Sequence, residues 1–170
     1  LDETDKLRDT WKAIRLGESA AVHDKWMKTR PNDYGDDVIS MLTKGLEITA
    51  TEYINAKKRM GKIRESIITA MKGFDALIVP TTIIAATLVD QKSVDIDGKD
   101  IEVYQALSRQ TIAFSTEGLL VLNIPAGLVE GKLPVGVQLI GRPFDEETLF
   151  KIARKYELHY KITELFTPFT

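Results

Sequence analysis

Cysteine is absent from the 170 residues, and histidine occurs only twice, at His23 and His159. Without cysteine there are no disulfide staples, no zinc–thiolate sites and no thiol nucleophile. The lack of cysteine fits a reducing compartment, and the expected location is cytoplasmic. No apolar run approaches the length of a membrane span, so no membrane partner is expected. Charge of one sign is nowhere concentrated: 23 basic and 25 acidic residues are spread along the chain. With a sequence pI near 5.8, this argues against direct binding of nucleic acid. The start, Leu1-Asp2-Glu3-Thr4, has neither an initiator methionine nor a signal-peptide core, which suggests a piece of something longer.

What is present is enough apolar material for a core, 44% of residues, at a size where one domain is the default. Residues 1–72 read as helical. Leu7, Trp11, Ile14, Ala20, Ala21 and Trp26 give a first helix from Asp2 to about Trp26, with a break expected at Gly17. Pro31-Asn32-Asp33-Tyr34-Gly35 is a turn cluster, and Asp36 and Asp37 then suit the positive end of a helix. From Val38, stripe positions at Met41, Leu42, Gly45, Ile48, Thr49, Ala56, Met60, Ile63 and Ile67 predict one long helix. Gly45 and Gly61 are both expected at close helix contacts. Lys57, Lys58, Arg59, Lys62 and Arg64 are expected on its solvated face.

The pattern changes at Gly73. Phe74 to Pro80 reads as a buried strand and Thr81 to Val89 as a loop passing over the interior. Asp97-Gly98 signals a hairpin over Val94–Ile101. A helix is expected from Ile101 to Phe114, with Ile101, Tyr104, Leu107 and Thr111 on one face. Leu119–Pro125 reads as a second buried strand. Val135, Val137 and Leu139 mark a third strand, antiparallel to the second, with a close approach expected at Gly136. Asp145 is the expected N-cap of the last helix, Phe144 and Leu149 its hydrophobic staple, and Leu149, Ile152, Ala153 and Tyr156 its buried face. The sheet-and-helix segment thus covers 73–157, and a tail of 158–170 remains unplaced. The fold class is α/β, a layered α/β/α arrangement with a mixed central sheet. Three apolar strands want more neighbours than the chain supplies, so the sheet is expected to be present only in part.

Self-contained chemistry is hard to find. No serine lies in a Gly-x-Ser-x-Gly elbow. The two histidines read as surface or capping residues, the paired acids Asp36-Asp37 and Glu146-Glu147 as first-turn helix charges. No metal site and no cofactor are expected.

One stretch carries more. Thr111 to Gly127, followed by Leu133-Pro134-Val135-Gly136-Val137-Gln138-Leu139-Ile140-Gly141, strongly resembles the C-terminal region of the amidase signature family. Phe74 to Thr82 is similar to that family's strand ending in Pro-Thr, and Gly45, Thr49, Tyr53 and Ala56 match the helix before it. The resemblance implies a serine hydrolase that cleaves carbon–nitrogen bonds of linear carboxamides. It uses a lysine, a serine held through a cis peptide and a nucleophilic serine in a glycine-rich signature. None of those parts occurs in this sequence, so no catalytic residue is assigned. The resemblance implies instead that the chain supplies scaffold and pocket lining, is inactive alone, and works with a missing N-terminal part of the same protein.

The loop after Pro80 (Thr81, Thr82, Ile83 and Ile84) is the implied lining for a small-molecule amide substrate, with Ser108 as a further lining residue. Gly118, Pro125, Pro134, Gly136 and Gln138 are expected to be architectural. Ser115 and Leu120 stand where the family has asparagine and proline. Glutamyl-tRNA amidotransferase A subunits resemble the region too. Their acidic residue and arginines, expected to grip glutamine, are replaced here by Ser108 and by Ile39-Ser40-Met41, which favours a general amidase. A non-catalytic binding or assembly module on the same scaffold is a further alternative, and self-association is left open.

Overall fold

A computed structural model describes residues 6–115 and 118–161. Two compact units divide the chain, one up to Ser66 and one from Ile67 onward. In the first, helix α1 spans Leu7–Thr29 without interruption. Gly17 does not break it, because the i to i−4 ladder needs no side chain there and a buried face at Leu7, Ile14, Leu16 and Ala20 carries the helix through. The residue before Pro31 is disfavoured in helical conformation, and the helix accordingly ends at Thr29, with Arg30 out of the helical region (φ −144°, ψ 54°) before a short 3₁₀ turn at Pro31–Asp33.

The predicted long helix is two. Helix α2 runs over Asp36–Leu46 and α3 over Ala50–Ala70. The apolar period stays in phase across the gap, which is why periodicity alone joins them. Thr49 separates them. Its Oγ1 accepts from the Glu52 backbone N–H at 3.2 Å, while the Glu52 carboxylate accepts from the Thr49 N–H at 2.8 Å. This reciprocal capping box starts α3 afresh. Gly45 is a genuine close contact, since a Cβ there would collide with the Leu16 carbonyl oxygen and lie 2.7 Å from Ala20 Cβ. Gly61 is not: nothing lies within 4 Å of an added Cβ. Of the basic residues expected outside, Arg59 is half-buried and donates to Thr10 Oγ1 at 3.1 Å, and Arg64 is half-buried as well.

In the second unit, strands β1 (Leu77–Pro80), β4 (Leu120–Val129) and β5 (Leu133–Gly141) form a sheet in the order β1-β5-β4. The class is α/β, as expected. All described pairings are antiparallel, where a mixed sheet is expected, because β5 runs opposite to both neighbours. The β4–β5 pair is the anticipated hairpin, turning through Glu130 and Gly131 in left-handed conformation. Its register slips between Pro125 and Gly127, a bulge at a proline that has no N–H to give the ladder. Strand β1 is not buried on both faces, since Ile78 is 60% exposed. Nor does the following loop stay inside, with Leu88 and Val89 both projecting into solvent.

Strands β2 (Ser93–Ile96) and β3 (Lys99–Glu102) make the predicted small hairpin. Asp97 and Gly98 both have positive φ, the geometry a two-residue primed turn requires. Ile101 pairs with Val94 in this hairpin, so it is unavailable to helix α4, which starts at Val103 and ends at Ser115. The buried face of α4 is Ala106, Ile112 and Phe114, not the row through Tyr104, which is exposed. Helix α5 (Glu146–Tyr160) lays Leu149 and Ala153 on Ile124 and Leu139 of the sheet, flanked by Leu122, Val137, Ile152 and Tyr156. The expected staple does not form: Phe144 has φ 66° and is 94% exposed, turned away from Leu149. Asp145 does stand at the N-cap position, but its carboxylate caps no backbone N–H and instead accepts from Thr148 Oγ1 at 2.7 Å. Leu158 to Tyr160, expected in the tail, are the last turn of α5. The rest of the tail, 162–170, lies outside the described residues.

Candidate functional site

The segment that follows β1 is pinned from three sides. Pro80 pairs with Val137 at the end of the ladder, and Thr81 extends that pairing by donating its N–H to the Gly136 carbonyl at 2.9 Å. Gln138 is 2% exposed and turns its side-chain amide to the Pro80 carbonyl at 3.4 Å. The side chain of Thr81 reaches past β5 altogether and donates from Oγ1 to Asn123 Oδ1 on β4, at 3.1 Å. Gly136 is what leaves that lane open. A Cβ at 136 would come within 3.0 Å of Thr81 Oγ1 and 3.2 Å of the Ile124 carbonyl. The close approach anticipated at Gly136 is therefore to Thr81, one of the candidate lining residues. Gln138 is the interior amide with a partner, as expected. Asn123 is the member that sequence reasoning missed, and its signal was a lone amide inside an otherwise apolar strand.

Beyond Thr81 the chain folds on itself. Thr82 Oγ1 donates to the Ile84 carbonyl at 2.6 Å, and Ile83 and Ile84 are half-buried rather than core. These four residues carry two hydroxyls and two branched apolar side chains and nothing that titrates. Such a segment can line and orient a neutral ligand but cannot act as acid or base. Ser108 sits on α4, half-buried, with its hydroxyl donated to the Tyr104 carbonyl one turn back at 2.6 Å. The hydroxyl is spent within its own helix, and the hydrogen bonds of Thr81 and Thr82 run instead to β4, β5 and Ile84.

The shifted acids and bases lie elsewhere, on the helical unit. The Glu52 carboxyl is held below its ordinary value by hydrogen bonds from the backbone and side chain of Thr49. The Tyr53 hydroxyl is raised by donating to Glu18, at 2.7 Å. Both are explained by helix architecture. His23 faces Tyr34, with Nδ1 2.9 Å from the hydroxyl and both rings edge to face. Among the described residues no cluster of three histidine, aspartate or glutamate side chains could hold a metal ion. Among them, too, no helix is long and apolar enough to cross a membrane.

A sequence model of the family described as Amidase matches residues 5–150. The chain belongs to the amidase family. Curated relatives include the A subunit of the glutamyl-tRNA(Gln) amidotransferase from Myxococcus xanthus (strain DK1622). It is 31% identical over 149 residues, which cover 85% of this chain and 30% of that protein. The protein of the same name from Streptococcus mutans serotype c is 33% identical, over 84% of this chain and 29% of its own length. Among solved structures, an amidase crystal structure superposes with a TM-score of 0.87 and 24% identity, over 92% of this chain and 36% of that one. The likeness to that structure shows a shared fold. The chain spans about a third of the length of the relatives it matches.

Proposed function

We propose that these residues form the scaffold and acyl-side lining of an amidase that hydrolyses linear carboxamides. In this reading the Lys/Ser/Ser machinery is carried by sequence outside the 170 residues, and the chain alone does not turn over substrate. The observation that carries the reading is the family match over 5–150 together with the pinned segment Thr81, Thr82, Ile83 and Ile84. Three anchors fix one end of a segment that holds no titratable group, which suits orientation of a neutral amide better than proton transfer. Ile83 and Ile84 favour an apolar acyl group, and Ser108 contributes through α4.

The test is ammonia release from a panel of primary carboxamides, measured for the 170-residue chain and for a longer gene product containing a glycine-rich serine signature. The longer product is expected to be active and the chain silent. Release by the chain alone overturns the reading. An amidotransferase A subunit is the second reading, favoured by the names of the two relatives above. Ser108 and Ile39-Ser40-Met41, in place of groups that would hold the charged ends of glutamine, count against it. Preference for glutamine over simple aliphatic and aryl amides in the same assay would decide for it. A soluble chain that never supports turnover in any longer form would instead point to a binding module.

A further inference from the structure

We propose that the groove between α1 and α2 binds a small organic anion, a carboxylate or phosphate group on a short aliphatic body. The site belongs to the helical unit and does not rest on the amidase reading. Its cavity of about 420 Å³ lies within the roughly 300–1,000 Å³ of small-molecule sites. Lys12 and Arg15 line it from α1 and Lys44 from α2. Arg15 and Lys44 stand one residue before Leu16 and Gly45, where the two helices come closest. The cations are therefore placed by packed helices rather than by a loop.

Arg15 identifies the ligand. Its Nε is buried and has no hydrogen-bond partner. A buried N–H without an acceptor is costly, and more so on a charged group. The guanidinium carbon lies 4.6 Å from the centroid of the Trp11 ring, so one face of the group is held by stacking. What is left is its edge, where Nε–H and a terminal N–H point in parallel. That fork takes two oxygens of a carboxylate or phosphate. Among the described residues, Lys12, Arg15 and Lys44 form no ion pair.

Three carboxylates line the same cavity, and none of them pairs with these cations. Glu52 accepts from the Thr49 N–H and hydroxyl. Asp9 and Asp37 stand in the first turns of α1 and α2, where the helix dipole favours negative charge. Lys12 and Arg15 lie past the first turn of α1. An anion bound there meets three cations and displaces no existing pair. Ala13, Leu16 and Ile48 make part of the lining apolar, which suits an aliphatic body rather than a bare ion.

Trp11 stacks on the residue that grips the ligand, and Trp26→Phe removes the other tryptophan of the chain. Fluorescence of the 170-residue chain carrying that change is titrated with butyl phosphate and with pentanoate, the ionic strength being held with sodium chloride. A saturable change with a Kd of about 1 mM or tighter is expected. Inorganic phosphate and acetate, which lack the aliphatic body, should bind about threefold or more weakly than their counterparts. Further variants are read from the ligand side by magnetic resonance, so that an altered tryptophan signal does not enter. Arg15→Gln should weaken binding by about tenfold or more, and Arg15→Lys, which keeps the charge and loses the fork, by nearly as much. Lys44→Gln, exposed on the other helix, should weaken it about threefold, whereas Lys58→Gln, exposed on α3, should leave it unchanged. Saturation by one series alone supports the site and names its headgroup. A response that follows ionic strength only, silence in both series, or an affinity that survives Arg15→Gln overturns the proposal. If Arg15→Gln alters the far-ultraviolet spectrum, the two lysine variants decide, and equal affinity in both overturns it.

Discussion

The helical unit and the sheet unit are held by contacts of different reach. In the helical unit polar contacts are mostly local and exposed: Asp24 with Lys28 one turn on, and Thr49 with Glu52 across four residues. Its helices come nearest at Gly45 against Leu16, where backbones nearly touch, with Tyr53 to Glu18 and Arg59 to Thr10 as longer polar ties. In the sheet unit the informative contacts join residues far apart in the chain, Gln138 to Pro80 and Arg142 to the Phe74 carbonyl. Its core is a small set of side chains between α5 and the sheet. The first unit should therefore be sensitive to added volume at one backbone position, the second to lost volume at one side chain. Both tryptophans, Trp11 and Trp26, are in the helical unit, so their fluorescence reports it selectively. Amide exchange along β5 reports the other.

The largest effect is expected from Gly45→Val. The new side chain meets a carbonyl oxygen and Ala20 Cβ, neither the free end of a flexible chain, so the helices must part. A loss of about 4 kcal/mol or more is expected, read as collapse of the tryptophan transition in urea. Retention of a wild-type midpoint would mean that the helix pair does not depend on that contact. Leu149→Ala is the matching change in the sheet unit, expected to cost about 3 kcal/mol through a cavity beneath α5 and to speed exchange in β5. It carries an internal control. A Cβ at Gly141 would lie 2.8 Å from Leu149 Cγ, so Gly141→Ala should be harmful in the native background and nearly neutral once Leu149 is alanine.

The same contrast explains what was legible in the sequence. The sheet unit announced itself through pattern: Asp97-Gly98 can only turn a hairpin, and Val135, Val137 and Leu139 alternate because one face of β5 meets α5. Pinning of the Thr81 segment was half visible, since Gly136 and Gln138 stood out among apolar residues. That Thr81 would choose Asn123 was not, because the pair is brought together only by the strand order β1-β5-β4. In the helical unit, the 3.6-residue period is real but carries the helix too far. Apolar spacing says which face is buried and is silent about whether the backbone ladder is interrupted. The Thr49-x-x-Glu52 signature held that information. Phe144 failed as a staple for a related reason, because a staple needs the chain to enter the helix extended, and at positive φ the ring is carried outward.

A smaller effect tests the interruption at Thr49. Thr49→Ala removes the hydroxyl that both accepts from the Glu52 N–H and donates to its carboxylate, and a loss of about 1 kcal/mol is expected at neutral pH. The sign with pH follows from Glu52. Its carboxyl titrates below the ordinary 4.5, so its contribution is fully present above that value and is lost as pH falls through the lower folded value. The difference between Thr49→Ala and the unmodified chain should therefore narrow on acidification. A difference constant from about pH 7 to about pH 3 would show that the carboxylate takes no part in the cap.

The smallest effect has the opposite sign. Gly45 and Gly61 occupy equivalent places in the sequence pattern, each on or near the apolar stripe of a helix, yet only one is at a contact. Gly61 lies in the interior of α3, exposed, with open space where a Cβ would be. There glycine only costs, because the unfolded chain has more freedom to lose than it would with alanine. Gly61→Ala should raise stability by about 0.5–1 kcal/mol in the tryptophan-monitored transition, without changing its slope against urea. If it destabilises instead, some other surface covers that face of α3 in solution, and the two glycines are alike after all. If it stabilises while Gly45→Val unfolds, a pair that periodicity cannot tell apart is separated by the one property that differs, whether another backbone lies within reach.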